Sequence, residues 1–326
     1  MLDPSCFAPL VLARLTLRLE ALEPVPLHGF LGPTLRGMLG HALREVACDR
    51  DGRPAFDGPN VYYDVFEPPA PQPGEQPLTP PYILHPPPGN AVPLEPGETL
   101  NFGLTLFGDA LNHVPTLLWA LHRYGQNGGL SRDRRRVRLA QADVLSPIGL
   151  VVLFRDAGGP VPSCWDPRWS WTGEQLVRSQ LEGLAAPPDA LELEFTSPLD
   201  LREQGHPVTA LTFSHLMRSL LRNASAHARL HSHEGLELDF RGLKEAAAEI
   251  QTLRDDTRWI DVEHDSSRQQ RRIPIRTRLG RMTFAGPLEP FLPLVAVGVA
   301  LNIGKGRTMG FGGMDWRPVA SASSRS

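Results

Sequence analysis

Cysteine is scarce in this 326-residue chain. Its three cysteines, Cys6, Cys48 and Cys164, are too few and too scattered for a disulfide framework, and no pair has the short spacing of a zinc knuckle. Neither device is expected to staple the fold, and a reducing compartment is expected. Long hydrophobic runs are also missing: none approaches the roughly 20 apolar residues that cross a bilayer. The stretch Met1 to Arg14 has neither a basic start nor a cleavage site. A soluble, cytoplasmic protein with no membrane partner is expected. Charge of one sign is lacking as well, with 33 Lys and Arg against 36 Asp and Glu, a formal net charge of -3. That excludes a uniformly basic coat for nucleic acid, so any such contact must come from local segregation of charge.

Segregation of that kind is present. Arg132 to Arg138 reads R-D-R-R-R-V-R, and the stretch Arg258 to Arg281 contains Arg268, Arg271, Arg272, Arg276 and Arg278. Arginine far outweighs lysine, and the planar guanidinium suits bidentate phosphate contacts and base stacking, although a GC-rich gene gives the same bias. With 41% hydrophobic side chains the chain can bury a large core, and its length favours two domains.

Val11 to Leu22 alternates apolar and polar residues, the period of a half-buried strand. Gly32-Pro33 then opens a helix whose apolar face is Leu35, Met38, Leu39, Ala42, Leu43 and Val46, ending near Cys48. Asp49 to Gly97 is dense in proline and glycine, with short extended pieces expected at Tyr62 to Phe66 and Tyr82 to His85. A strand is predicted over Glu98 to Phe107, a helix over Ala110 to Tyr124 with a breaking hazard at Pro115, and a strand over Val137 to Leu145. The same order returns later: strand Leu191 to Leu199, helices Val208 to Arg222 and Phe240 to Leu253, strands Arg258 to Glu263 and Arg278 to Ala285, and an apolar helix Leu288 to Asn302. The expected fold class is α+β, two tandem ferredoxin-like (RRM-like) domains with a C-terminal glycine-rich loop, divided as 1–154, a linker and loop region 155–189, and 190–326.

The last of these features is G-K-G-R-T-M-G-F-G-G, Gly304 to Gly313. Gly304, Gly306, Gly310, Gly312 and Gly313 carry no Cβ, so backbone N–H groups can converge on a phosphate, with Lys305 and Arg307 supplying charge. It is not a Walker A loop, since five residues separate Gly298 from Gly304 and Gly306 follows Lys305. It is not a dinucleotide fingerprint either, because a helix precedes it instead of a strand. A tight C-terminal hairpin whose glycines merely permit turns is the plain alternative.

On the first helix, His41 projects about 130° from the centre of the apolar face at roughly 100° per residue, beside Gly37 and Arg44. It is expected to face solvent or ligand, on a surface that Gly37 and Gly40 leave bare and that Arg36 and Arg44 make positive. His28, in P-L-H-G-F, is a second candidate, and Tyr62 and Tyr63 are possible assistants. His231 and His233 in H-S-H-E lack a third metal ligand at a convincing spacing and are expected in a polar loop. Ser266 to Arg278 fits a basic hairpin tip. The run Arg132 to Arg138 either grips phosphate or solvates a turn.

The run P-F-L-P-L-V-A-V-G-V-A-L-N-I-G-K-G-R-T-M-G-F-G resembles the C-terminal glycine-rich segment of the CRISPR precursor-RNA processing endoribonucleases of the repeat-associated (RAMP) superfamily. L-R-G-M-L-G-H-A-L-R-E-V-A-C from Leu35, L-N-F-G-L-T-L-F-G from Leu100, D-F-R-G-L from Asp239, W-I-D-V-E-H-D-S-S-R-Q from Trp259 and L-G-R-M-T-F-A-G from Leu279 are similar to that family too. Many relatives carry a cysteine cluster after the first helix; Cys48 stands alone here, so no zinc-stapled loop is expected.

The resemblance implies cofactor-free and metal-free scission of CRISPR repeat RNA by 2′-hydroxyl attack. The products are a 2′,3′-cyclic phosphate and a 5′-hydroxyl. Repeat RNA, crRNA and a CRISPR effector complex are the implied partners. It also implies catalysis by histidine at or near the first helix, here His41 or His28, and RNA contacts from Arg36, Arg44, Arg268, Arg271, Arg272, Lys305 and Arg307. A non-cleaving crRNA-binding subunit of an effector complex, on the same fold, is the alternative.

Overall fold

The computed structural model describes residues 2–55, 57–72, 75, 78–131, 133–156, 161–266 and 271–319, with the side chains of 126–127, 264–266 and 271–273 left out of the description. The chain divides into two compact units. One comprises Val11–Trp171 with Leu230–His233; the other comprises the N-terminal segment up to Leu10, Thr172–Arg229 and the chain from Glu234 on.

The first unit is built on β1 (Val11–Ala21), whose Leu15, Leu17, Leu19 and Ala21 are buried while Arg14, Thr16 and Arg18 are not. Strict alternation puts every second side chain on one face, and that face needs a cover. It is supplied by α1 (Gly32–Ala47) and α2 (Val114–Asn127), whose Leu35, Leu39, Leu43, Leu117, Leu118 and Leu121 join the same core. With β2 (Tyr82–His85), β3 (Thr99–Phe107), β4 (Val137–Ser146) and β5 (Gly149–Arg155), the antiparallel sheet runs β2-β3-β1-β4-β5. This is the ferredoxin-like order with one added edge strand.

Pro115 proves no hazard to α2, because the helix starts at Val114 and Pro115 falls in its first turn, where a missing N–H costs nothing. Tyr62–Phe66 is not extended but a single π-helical turn. Asn60 explains the difference: its side-chain amide donates to the Ala47 carbonyl at 2.8 Å, and its Oδ1 accepts from the Tyr62 N–H at 3.1 Å. The turn is thereby tied to the end of α1.

The second unit begins with α3 (Gly173–Leu181), a helix inside the expected linker, closed by a capping box between Thr172 and Gln175. It continues through β6 (Ala190–Leu199), α4 (Phe213–His231), α5 (Phe240–Ala247), β7 (Gln251–Asp255), β8 (Arg258–Ser266), β9 (Arg271–Ala285), α6 (Leu292–Leu301) and β10 (Met314–Val319). Its antiparallel sheet runs β7-β9-β6-β10, again the ferredoxin-like order, with β8 also paired to β9. The expected helix Phe240 to Leu253 is cut short: α5 ends at Ala247 and the chain turns into β7, which pairs with Met282–Ala285 of β9. Tertiary pairing there overrides a local pattern that reads as helix. Helix α6 is apolar all round and nearly every residue in it is buried. No helix among the described residues is long and apolar enough to cross a membrane.

Candidate active site and glycine-rich loop

His41 stands on the exposed side of α1, as its angle on the helix predicts. Its ring lies parallel to that of Tyr124 from α2, with centroids 6.4 Å apart and planes 9° from parallel. The pKa of His41 is lowered, first by the partial burial of the imidazole and then by the guanidiniums of Arg134 and Arg44, which oppose a third positive charge. The direction follows from the arginine-rich surroundings, but burial leads. Tyr124 is shifted upward, chiefly by burial. Tyr124 does not stand out in the sequence, and Arg134 is marked there only as one member of the run Arg132 to Arg138. The signal that joins the two is the G-G pair at Gly128-Gly129, which ends α2 and folds the arginine run back toward its last turn.

The surroundings of α1 are less bare than its glycines suggest. Gly37 has nothing within 4 Å of where a Cβ would project, but Gly40 is covered by the ring of Phe66, which a side chain at 40 would displace. Arg36 stacks on that same ring at 4.6 Å and lies 3.9 Å from the Glu67 carboxylate, so it holds the π-helical turn to α1. Arg44 is exposed, with its guanidinium over Gly52. The two tyrosines are engaged elsewhere. The Tyr62 hydroxyl donates to Glu67 at 2.9 Å and its pKa is pushed up to about 12, mainly by burial; the Tyr63 hydroxyl donates to the Gly52 carbonyl.

Most histidines have a polar partner. His85 bonds Thr105, His113 faces Asp64 at 3.0 Å, His122 and His215 sit near Asp156 and Glu203, and His227 bonds Arg307. His231 ends α4 and bonds the Thr79 carbonyl, while His233 bonds Asp109 at 2.7 Å. The side chain of His264 is outside the description. His28, His41 and His206 are the exposed histidines with no hydrogen bond among the described residues. Of these, only His41 lies against a second aromatic ring and beside two arginines. Among the described residues no three His, Cys, Asp or Glu side chains gather as a metal-binding group.

In the second unit the glycine-rich loop is closed largely on itself. The N–H groups of Gly304, Lys305, Gly312 and Gly313 donate to Ser219 Oγ, the Asp200 carbonyl, the Pro198 carbonyl and Ser197 Oγ, and those of Met309 and Gly310 close an internal 3-10 turn. These amides are therefore not available to converge on a phosphate. Lys305 is exposed. Arg307 turns inward, donating to His227 Nε2 at 2.8 Å and toward the Leu301 carbonyl at 3.3 Å, and burial brings its pKa down to about 10. Arg268 lies outside the described residues, and Arg271 and Arg272 open β9, with their side chains outside the description.

Residues 193–314, which hold this loop and most of the second sheet, match the model of the CRISPR-associated endoribonuclease Cas6. Over those residues the chain is similar to the Cas6 endoribonucleases. Residues 9–163 match a separate family model described as an N-terminal domain. Among solved structures, a Cas6 product complex aligns with a TM-score of 0.57 and 17% identity, covering 94% of this chain and 100% of that one. Thermus thermophilus Cas6 aligns at 0.55 and 16%, covering 94% and 99%. A partial Cas6-RT-Cas1–Cas2 complex aligns at 0.60 and 15%, covering 96% of this chain and 47% of the other. At such identities these structures establish the shared two-unit fold. No curated protein matches the chain by sequence.

The glycine-rich loop separates two roles of basic residues that look alike in sequence. Replacing Lys305 with alanine is expected to lower the slope of log affinity for repeat RNA against log salt by about 0.7, one phosphate contact on a single strand. Replacing Arg307 is expected to cost about 1–3 kcal/mol of stability, by stranding His227 and the Leu301 carbonyl. Salt titration and urea melts read the two effects separately. A stable R307A protein would show that the inward contacts contribute nothing.

Proposed function

We propose that the chain is a metal-independent endoribonuclease that cuts CRISPR repeat RNA into mature crRNA in the cytoplasm, and that an effector complex receives the product. The 2′-oxygen beside the scissile phosphate attacks phosphorus, the O2′–P bond forms and the P–O5′ bond breaks. The 2′-hydroxyl gives up its proton to a base and the leaving 5′ oxygen takes one up. The ends are a 2′,3′-cyclic phosphate and a 5′-hydroxyl, and no co-reactant is needed.

The observation that carries this reading is His41. An exposed imidazole with its pKa lowered is neutral at pH 7 and can accept the 2′-hydroxyl proton, and a nearby arginine supplies charge for the phosphate. The match of residues 193–314 to the model of the CRISPR-associated endoribonuclease Cas6 supports RNA as the substrate class.

Cleavage is expected to persist in excess EDTA. It should leave a 3′ end that resists phosphatase until acid opens the cyclic phosphate, read on a denaturing gel of repeat RNA. Cutting that stops with chelator and returns with magnesium would overturn the proposal. Tight binding with no cutting under any condition would favour the non-cleaving crRNA-binding subunit.

A further inference from the structure

Between α2 and β4 the chain makes a turn whose arginines have unequal surroundings. Arg136 bonds Glu23 through its backbone at 2.9 Å and its side chain at 3.4 Å, and Arg138 pairs with Glu20 at 2.8 Å and Asp156 at 3.2 Å. Arg123, at the end of α2, lies 4.0 Å from Glu45 and stacks on Trp119. Arg134 is exposed and has no ion pair among the described residues. Its turn leaves α2 directly at Tyr124, whose carbonyl accepts from the Gly128 N–H at 2.6 Å and whose ring lies parallel to that of His41 at 6.4 Å, and the Arg134 charge acts on both side chains.

The turn is built to hold that residue in place. Leu130 and Arg135 exchange backbone hydrogen bonds at 2.7 and 2.9 Å, and the Arg134 N–H donates to the Ser131 carbonyl at 3.2 Å. Gly129, at φ +104°, packs so closely under the turn that a Cβ there would collide with the carbonyl oxygens of Arg134 and Arg135. Ser131 and Arg134 themselves sit at φ 72° and 52°. Two non-glycine residues in the left-handed region within four positions is a strained arrangement, and such strain clusters at functional sites.

We propose that Arg134 is a catalytic residue of the His41 site, its guanidinium gripping the non-bridging oxygens of the scissile phosphate while His41 takes the 2′-hydroxyl proton. This rests on the endoribonuclease reading above. The fork of a guanidinium matches two phosphate oxygens at once, and charge builds on those oxygens as phosphorus becomes five-coordinate. The same placement disfavours the imidazolium of free His41 and keeps it a base. The other charged or titratable groups around His41 are Arg44 and Glu45 on α1, the latter near Arg123, and Tyr124 on α2.

The test is single-turnover cleavage of repeat RNA by Arg134→Gly and Arg134→Lys, alongside H41A. Glycine suits the left-handed backbone, so R134G should melt no lower than the parent. It is expected to slow the cleavage step by roughly 100-fold or more while RNA affinity stays within a few fold. R134K should recover part of the rate, because it restores charge without the fork. In RNA-free protein, the NMR titration of His41 should move upward in R134G, which a purely structural role would not produce. A normal cleavage rate in R134G overturns the assignment of Arg134, whatever H41A does. A normal rate in H41A overturns the histidine reading instead, and Arg134 is then judged by its own two variants.

Discussion

Replacing His41 with alanine should slow cleavage of repeat RNA by roughly 100-fold or more and leave RNA affinity within a few fold, the signature of a proton-transfer group. The imidazole is exposed and contributes little to the core, so α1 should stay folded without it. Arg44 and Arg134 remain to attract phosphate. The pH profile gives an independent check. Because burial and the two arginines lower its pKa, free His41 loses its proton below pH 6.5, the ordinary imidazole value, and the acid limb of kcat/KM should lie below that point. Bound phosphate favours the imidazolium, so the limb in kcat should lie higher. Substitution of His28 is the control, since His28 is exposed but has no aromatic or arginine neighbour assigned to it. If H28A is slow and H41A is normal, the base is His28. If both are normal, neither histidine is the base.

A second large effect is expected far from His41. Gly312 adopts φ +71°, and a Cβ there would run into the carbonyl oxygen of Ile303, whose N–H already donates to the Gly312 carbonyl at 2.7 Å. The atoms it would meet all belong to the Ile303 backbone, with no flexible side chain that could swing aside. Gly312→Ala should therefore cost about 3 kcal/mol or more, combining the left-handed penalty with a backbone displacement. Urea denaturation measures it, and a loss below about 1 kcal/mol would mean the loop can relax. The effect belongs to stability, because the loop caps a buried network in which the Asn223 side-chain amide donates to the Asn302 carbonyl and the Asn302 side-chain amide donates to the Phe311 carbonyl.

The parts of the fold that were legible in the sequence are those with an unambiguous period. β1 alternates strictly, α1 has one apolar face, and both emerge at nearly the expected bounds. The parts that were not legible depend on contacts distant in sequence. Gln251–Asp255 becomes a strand because β9 offers an edge, and Tyr62–Phe66 curls because Asn60 ties it to α1. At the candidate site, helical geometry was enough to aim His41 outward, since it concerns one element alone. Tyr124 and Arg134 could not be found that way, because their nearness to His41 arises only when α2 packs on α1 and the chain turns back. Arg307 shows the same limit from the other side: a charged residue in a glycine-rich loop suggests an outward contact, and only the fold shows His227 beneath it.

Gly37 lies one helical turn before His41, inside α1, where nothing about the backbone calls for glycine. An alanine there would meet open space and strengthen the helix by about 1 kcal/mol. If His41 is the base proposed above, the helix forgoes that stability at the turn where a flat strip would let a ribose-phosphate chain come closer to the helix backbone than any side chain would permit. At this position the most stable form of the helix and the most approachable one differ by a single methyl group.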